Sequence, residues 1–454
     1  MPDGKDLEMG HTLRPHGRRA LFGAAVAVAL VAAGCAPGSS GGGSDTAASS
    51  GAVSTAVPPD KVTLKLAFTD SPDMTKALVD AFHAKYPQVT IETQYTQFND
   101  YVKSLKLSMS SDTAPDIAQY NAALKDLSAA GLIVDLSGYE KAYDWDTVFP
   151  KSALDELRVD KTGKVLGTGS LVAVPAGLSL VGLYYNKDLM AKAGISAPPA
   201  TVDELEADLA KAKQAGLTGM AVGGLDTGAL HVWGSLMDSM TDPTAQRNWI
   251  NGKAGSSIVT DDAVAATDTF ASWAKQGWFP SSANGTSEND SATAFSKGGS
   301  VFHVNGNWAA AQLGEAMGDN VGFSVFPPKT KDAKAVGNGF SVSYMLSSKG
   351  KHQAAAAAFL DFLRSPEAAV IESKGGFLPP NAEAAPAATG VQADLATANQ
   401  KIVSDDGLMP FPDFAAPAML DKLTSGLQQV AAGRMDSKAF LQSLQEVWDS
   451  YHGS

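Results

Sequence analysis

Two hydrophobic periods alternate along the chain. Val62, Leu64, Leu66 and Phe68 recur at every second position and predict a strand with one buried face. Ser71-Pro72-Asp73 then predicts a helix start, with Ser71 as N-cap and Pro72 at the first helical position. Met74, Leu78, Ala81 and Phe82 keep helical spacing, and Val89, Ile91 and Thr93 return to alternation. Phe98, Val102, Leu105 and Met109 form a second helical stripe; Asp116–Tyr120 reads as a short strand and Leu124–Leu132 as a short helix. Strand, helix, strand, helix, strand is the order of an α/β domain around a mostly parallel sheet.

A second run begins near residue 180. Leu178–Tyr185 is apolar on both faces, as in a fully buried strand. Thr201-Val202-Asp203-Glu204 reads as a capping box for a helix that stops at Gly216. Gly219–Val222, Val301–Val304, Val321–Val325 and Ser341–Leu346 are expected strands. Asp261–Gln276, Ala309–Met317, Gln353–Leu363 and the C-terminal stripe Phe440, Leu444, Val447, Trp448 and Tyr451 are expected helices.

The N-terminus follows a different logic. Lys5, Arg14, Arg18 and Arg19 precede Ala20–Ala33, which carries no charge. As a helix it would reach about 21 Å, short of a ~30 Å hydrocarbon core, so it suits a signal peptide rather than a membrane span. Ala32-Ala33-Gly34-Cys35 resembles the lipobox of bacterial lipoproteins, with Ala32 where leucine is usual. The resemblance implies lipidation at Cys35. Arg18-Arg19-Ala20-Leu21-Phe22 resembles a twin-arginine export signal, and the general secretory route stays open beside it. Ala36–Pro59 is rich in Gly, Ser and Ala and is expected to be a flexible tether. The division that follows is 1–34 signal peptide and 35–60 lipidated tether, ahead of a folded body.

Length adds that the body holds two domains, since 454 residues exceed one ordinary core. A net charge of −13 disfavours nucleic acid and anionic lipid as partners. Cys35 is the one cysteine, so no disulfide forms within the chain.

Several stretches, in order, resemble the bacterial extracellular solute-binding proteins of the maltose-binding type. They are Ala114-Pro115-Asp116-Ile117 with Leu132–Leu136, Tyr184-Tyr185-Asn186-Lys187-Asp188-Leu189, Asn305-Gly306-Asn307-Trp308 with Gly322–Pro327, and Gly337-Asn338-Gly339-Phe340 with Ser365-Pro366-Glu367-Ala368. The resemblance implies a two-lobed periplasmic-binding-protein-like α/β fold, each lobe a mostly parallel sheet flanked by helices. It implies crossovers near Ala176–Val181, Gly337–Phe340 and Gly376–Asn381, giving 61–178 and 342–376 to one lobe and 179–341 and 377–454 to the other. It further implies a non-enzymatic monomer, held at the outer face of the cytoplasmic membrane by a lipid on Cys35. Such a protein captures a carbohydrate by hinge closure and delivers it to the permease subunits of an ABC transporter, with no cofactor.

A carbohydrate site needs aromatic platforms with planar donors and acceptors. Candidates at predicted strand ends are Asp70, Gln97, Tyr120, Asn121 and Asp226, with Ser179 and Phe340 at the crossovers. For Asp70 a cap role, and for Asn121 a turn role, is the alternative. Trp233 is either a stacking platform or core. Asn307-Trp308 is the leading pair, Trp308 taking the platform position that the resemblance implies. Trp145, Trp249, Trp273, Trp278 and Trp448 read as packing. Ser348–Lys351, Ser287-Glu288-Asn289 and Lys161-Thr162-Gly163 echo a penicillin-recognising enzyme but in the wrong order. The seven histidines have no metal-ligand spacing. A secreted glycan hydrolase and an adhesin are the competing classes.

Overall fold

The structure, a computed structural model, describes residues 53–379 and 387–453. The expected leader, Cys35, the tether up to residue 52 and the end of the third expected crossover at residues 380–381 lie outside the described residues.

Among the described residues eleven strands are present: β1 (Val62–Phe68), β2 (Val89–Tyr95), β3 (Ile117–Gln119), β4 (Arg158–Val159), β5 (Ser170–Leu171), β6 (Val174–Asn186), β7 (Met220–Ala221), β8 (Phe302–Gly306), β9 (Val321–Ser324), β10 (Gly337–Leu346) and β11 (Leu408–Met409). The main sheet runs β2-β1-β3-β10-β6-β8-β7, with β11 against β10 and β9 against β6. Its flanks are parallel: β1 with β2 and β3 at one side, β7 with β8 at the other. The antiparallel pairings are made by the long strands β6 and β10 as they pass through the middle. Helices cover the sheet, and the cores on both sides of β6 are apolar.

Local sequence explains the element starts. Ser71 caps the helix Pro72–Lys85 by accepting from the Met74 N–H. Thr201 caps Val202–Gln214, accepting from the Glu204 N–H at 3.2 Å. Glu204 reaches back to the Ala200 N–H rather than to that of Thr201, so the capping box closes one residue early. Strand β6 starts before the expected Leu178 and is buried almost throughout, because it crosses the middle of the molecule with protein on both faces. The expected helix Leu124–Leu132 ends at Ala129, where Gly131 at φ 66° turns the chain. The helix Gly228–Met240 shows no clear stripe, being buried all round. The tether is shorter than expected: Val53 and Val57 pack on the core, and Tyr143 donates its hydroxyl to the Thr55 carbonyl.

The three expected crossing segments lie side by side. Leu180 and Ser179 pair with Gly339 and Phe340, and Leu178 bridges Leu378. Gly177 sits at φ 110°, and a Cβ there would press on the Phe377 Cβ at 3.0 Å. Asn307, fully buried, ties the first of these segments to the third. Its Oδ1 accepts from the Leu180 N–H at 2.9 Å, and its Nδ2 donates to the carbonyls of Leu178 and Gly376 at 2.9 and 3.0 Å. Beside them, the buried Asp238 accepts from Gln246 and Asn338 through Oδ1, while Oδ2 has no partner. Burial pushes its carboxyl up to about 8, the hydrogen bonds opposing.

Two outcomes follow from these buried groups. Asn307→Ala strands three backbone groups and should cost about 3 kcal/mol of stability in urea unfolding; a loss under about 1 kcal/mol would mean that the segments hold together without it. The Asp238 carboxyl holds its proton longer in the folded state than at its ordinary 3.8. Its contribution to stability therefore weakens as pH rises from about 4 to about 8. Asp238→Asn should melt near wild type at acidic pH and gain on it progressively toward pH 8; a constant difference across that range would refute the assignment.

Candidate functional site

A cleft of about 850 Å³ opens where loops at the carboxyl ends of β1, β3, β7 and β8 meet the turn after β11. This is where an α/β sheet leaves strand ends unpaired and loops free to carry function.

Asp70 follows β1. Gln119, on β3, accepts from the Thr69 and Asp70 N–H groups at 3.1 and 3.3 Å and donates its amide to the Asp70 carboxylate. Burial raises the Asp70 carboxyl above its usual range, and the Gln119 bond partly offsets this. Tyr120 and Asn121 follow β3. The Tyr120 hydroxyl is raised well above its usual value by burial, then by the carboxylates of Asp413 and Asp70. Asn121 lines the cleft while donating to the Ser341 carbonyl at 3.3 Å. Gln97 also lines it but caps the helix Phe98–Ser110 through the Asn99 N–H.

On the other wall, β8 ends in Gly306 and a single turn of 3-10 helix, Asn307–Ala309, begins. The Trp308 indole lies back across Gly306, where any Cβ would collide with the ring. The glycine is thus required by close approach and not by a turn, since its φ is −84°. Trp308 is partly exposed on the cleft wall, and its Nε1–H donates to Glu288 Oε1 at 2.9 Å. The other Glu288 oxygen accepts from Thr227, and His231 Nδ1 stands 3.3 Å from it without an aligned hydrogen bond. Asp226 accepts from the Glu288 N–H at 2.8 Å. Burial raises the Asp226 carboxyl; the bond from that N–H lowers it, and the Glu288 charge raises it again.

Phe411, Asp413 and Phe414 complete this wall. Phe411 lies 6.4 Å from Trp308, centroid to centroid. Burial pushes the Asp413 carboxyl up to about 7. The turn that holds them is anchored by Lys125, which is buried and donates to the Ala415 and Ile250 carbonyls at 2.9 and 3.3 Å. With no carboxylate against it, burial brings its ammonium down to about 7.

Of the expected site residues, Asp70, Gln97, Tyr120, Asn121, Ser179, Asp226 and Trp308 line this cleft. Ser179 does so with its hydroxyl already exchanged with the Phe340 backbone, as donor at 2.7 Å and acceptor at 3.2 Å. Three others sit behind the wall. Trp233 is core: it has no exposed surface, packs edge-on against Phe440 and donates to Thr267 at 2.9 Å. Asn307 spends its carboxamide on the crossing segments. Phe340 is buried and supports Phe414 from behind at 4.9 Å. Asn307 directly follows β8, Phe340 lies within β10 and Trp233 lies inside the helix Gly228–Met240, and each side chain points into protein, which spacing alone does not reveal.

Sequence reading missed Glu288, His231, Phe411, Asp413 and Phe414. Glu288 falls in the Ser287-Glu288-Asn289 stretch set aside as an enzyme echo, where Ser287 is the N-cap of the helix Glu288–Ser296. Phe411-Pro412-Asp413-Phe414 carried a legible signal, two aromatics and an acid around a proline in a loop. No group of three or more His, Cys, Asp or Glu residues among the described residues could hold a metal.

The family model for the bacterial extracellular solute-binding protein matches residues 77–399. A putative binding protein of Brucella abortus is 25% identical over 378 residues, covering 80% of this chain and 85% of its own length. A maltooligosaccharide ABC transporter solute-binding lipoprotein of Streptococcus pneumoniae is 26% identical over 298 residues, covering 63% of this chain and 67% of its own. The solved chitin oligosaccharide binding protein superposes with a TM-score of 0.74 at 21% identity, over 87% of this chain and 100% of that one. That likeness gives the fold, the two-lobed α/β architecture of periplasmic binding proteins. With its family match spanning well over half its length, the chain belongs to the bacterial extracellular solute-binding proteins.

Proposed function

We infer that this protein captures a carbohydrate outside the cytoplasm, by closing two lobes around it, and delivers it to the permease of an ABC importer. The observation that carries the reading is Trp308: a partly exposed indole in a large cleft, its edge fixed by Glu288, with carboxylates and amides elsewhere in the cleft lining. A sugar ring offers a flat apolar face and a rim of hydroxyls, and this wall matches both. Relatives named as maltooligosaccharide-binding and multiple sugar-binding proteins support the class of ligand.

We assign 61–178 and 342–376 to one lobe and 179–341 and 377–454 to the other, with closure about the three crossing segments. The function is capture and release, with no turnover. The protein acts as a monomer on the outer face of the membrane, exported through the leader at 1–34 and held by a lipid on Cys35. The S. pneumoniae relative is itself named a lipoprotein.

Trp308→Ala should weaken binding of the captured sugar by about 2–4 kcal/mol in calorimetry. Normal binding with a much earlier melt would make Trp308 a packing residue and remove the main support for the site. Small-angle scattering should show a smaller radius of gyration at saturating ligand, because only a ligand that touches both lobes favours closure; an unchanged radius would end the hinge mechanism. Cys35→Ala should leave membranes and appear folded in the soluble fraction, since lipid chains supply the attachment. Retention after a salt wash would refute the anchor.

A further inference from the structure

Glu288 is approached from several sides. Its Oε1 accepts the Trp308 indole N–H at 2.9 Å and its Oε2 the Thr227 hydroxyl, while its own N–H donates to Asp226 at 2.8 Å. His231, near the start of the helix Gly228–Met240, is a further neighbour. It is buried, and its Nδ1 stands 3.3 Å from Glu288 Oε2 without an aligned hydrogen bond. Its ring lies 5.4 Å from that of Trp308 and 6.1 Å from that of Phe411, centroid to centroid. The histidine thus borders both the aromatic platform and the carboxylate that orients it.

A neutral imidazole can leave Nδ1 without a proton, whereas an imidazolium carries one on each nitrogen. Protonation turns the 3.3 Å approach into a charge-assisted bond from Nδ1–H to Glu288 Oε2. Histidine is the side chain that ordinarily changes charge near neutral pH. The other titratable groups nearby behave differently. His303 lies on β8, which packs against the same helix, and burial holds its imidazole down at about 4. Asp226 stands upstream of the helix, and Asp413 two residues beyond Phe411; burial raises both carboxyls, that of Asp413 to about 7. We propose that His231 is a positioning residue for the platform: on taking up a proton it clamps Glu288, and through Glu288 the Trp308 indole, so that the site holds its ligand more tightly at acidic than at alkaline pH. The coupling stands on this geometry, and its effect on affinity rests on the carbohydrate reading above.

The test follows the Trp308 indole N–H resonance in the full chain carrying nitrogen-15-labelled tryptophan, identified by its loss in Trp308→Phe. Between about pH 8 and about pH 5.5 it should move in a step. His231→Gln should abolish that step and Asp413→Asn should leave it in place. Glu288→Gln keeps an acceptor for the indole but removes the charge, and should abolish the step from the other side. A resonance that does not move, or that moves alike in His231→Gln, overturns the coupling. Calorimetry with maltotriose and with triacetylchitotriose supplies the second readout. Over the same fall in pH a bound trisaccharide should gain at least about threefold in affinity relative to His231→Gln. A coupled resonance without that gain overturns the effect on affinity. A coupled resonance with neither trisaccharide bound upholds the coupling and counts against the carbohydrate reading instead.

Discussion

The Asn307 carboxamide accepts from the Leu180 N–H and donates to the Leu178 and Gly376 carbonyls, so one side chain holds together chain segments far apart in sequence. Those backbone groups are buried beside strands that change partners there: β6 pairs with β10 up to Leu180 and with β8 and β9 beyond it. An unpaired group at such a place would cost the full price of desolvation. The next residue is Trp308, the aromatic surface of the cleft. The position of the platform is therefore set by the same turn that ties the crossing segments. In the closure we propose, these segments are the axis, and the platform moves with them.

A second constraint fixes how the platform faces. Glu288 receives the indole N–H of Trp308 and the hydroxyl of Thr227, while its own N–H goes to Asp226. Side chains from three separate elements are thereby locked without contribution from any ligand. Gly306 beneath the ring supplies the space, since even a methyl group would displace the indole. Lys125 secures the neighbouring turn by holding the Ala415 carbonyl next to Phe414 and Asp413. A site prepared in this way loses less conformational freedom on binding than one assembled around its ligand.

Much of the fold was legible in the sequence because the signals were local. Ser71 and Thr201 cap the helices their spacing predicted, and the alternation from Val62 to Phe68 gives a strand with the expected buried face. The five tryptophans assigned to packing are all buried. The helix Gly228–Met240 escaped because burial on every side removes the polar face that creates a period. Seven of the ten site residues reach the cleft, since strand ends of an α/β sheet point there by topology.

Composition, period and motif order determined the α/β class, the element order and the family. They also located the strand ends from which a cleft is built. Tertiary structure decided which side chains at those ends face the cleft and which face protein. Trp233, inside the helix Gly228–Met240, finds Thr267 and Phe440 in the core, while Trp308, in the turn directly after β8, finds Glu288 on the wall. That choice depends on partners far along the chain, and a linear pattern holds no record of which distant residue supplies the hydrogen bond.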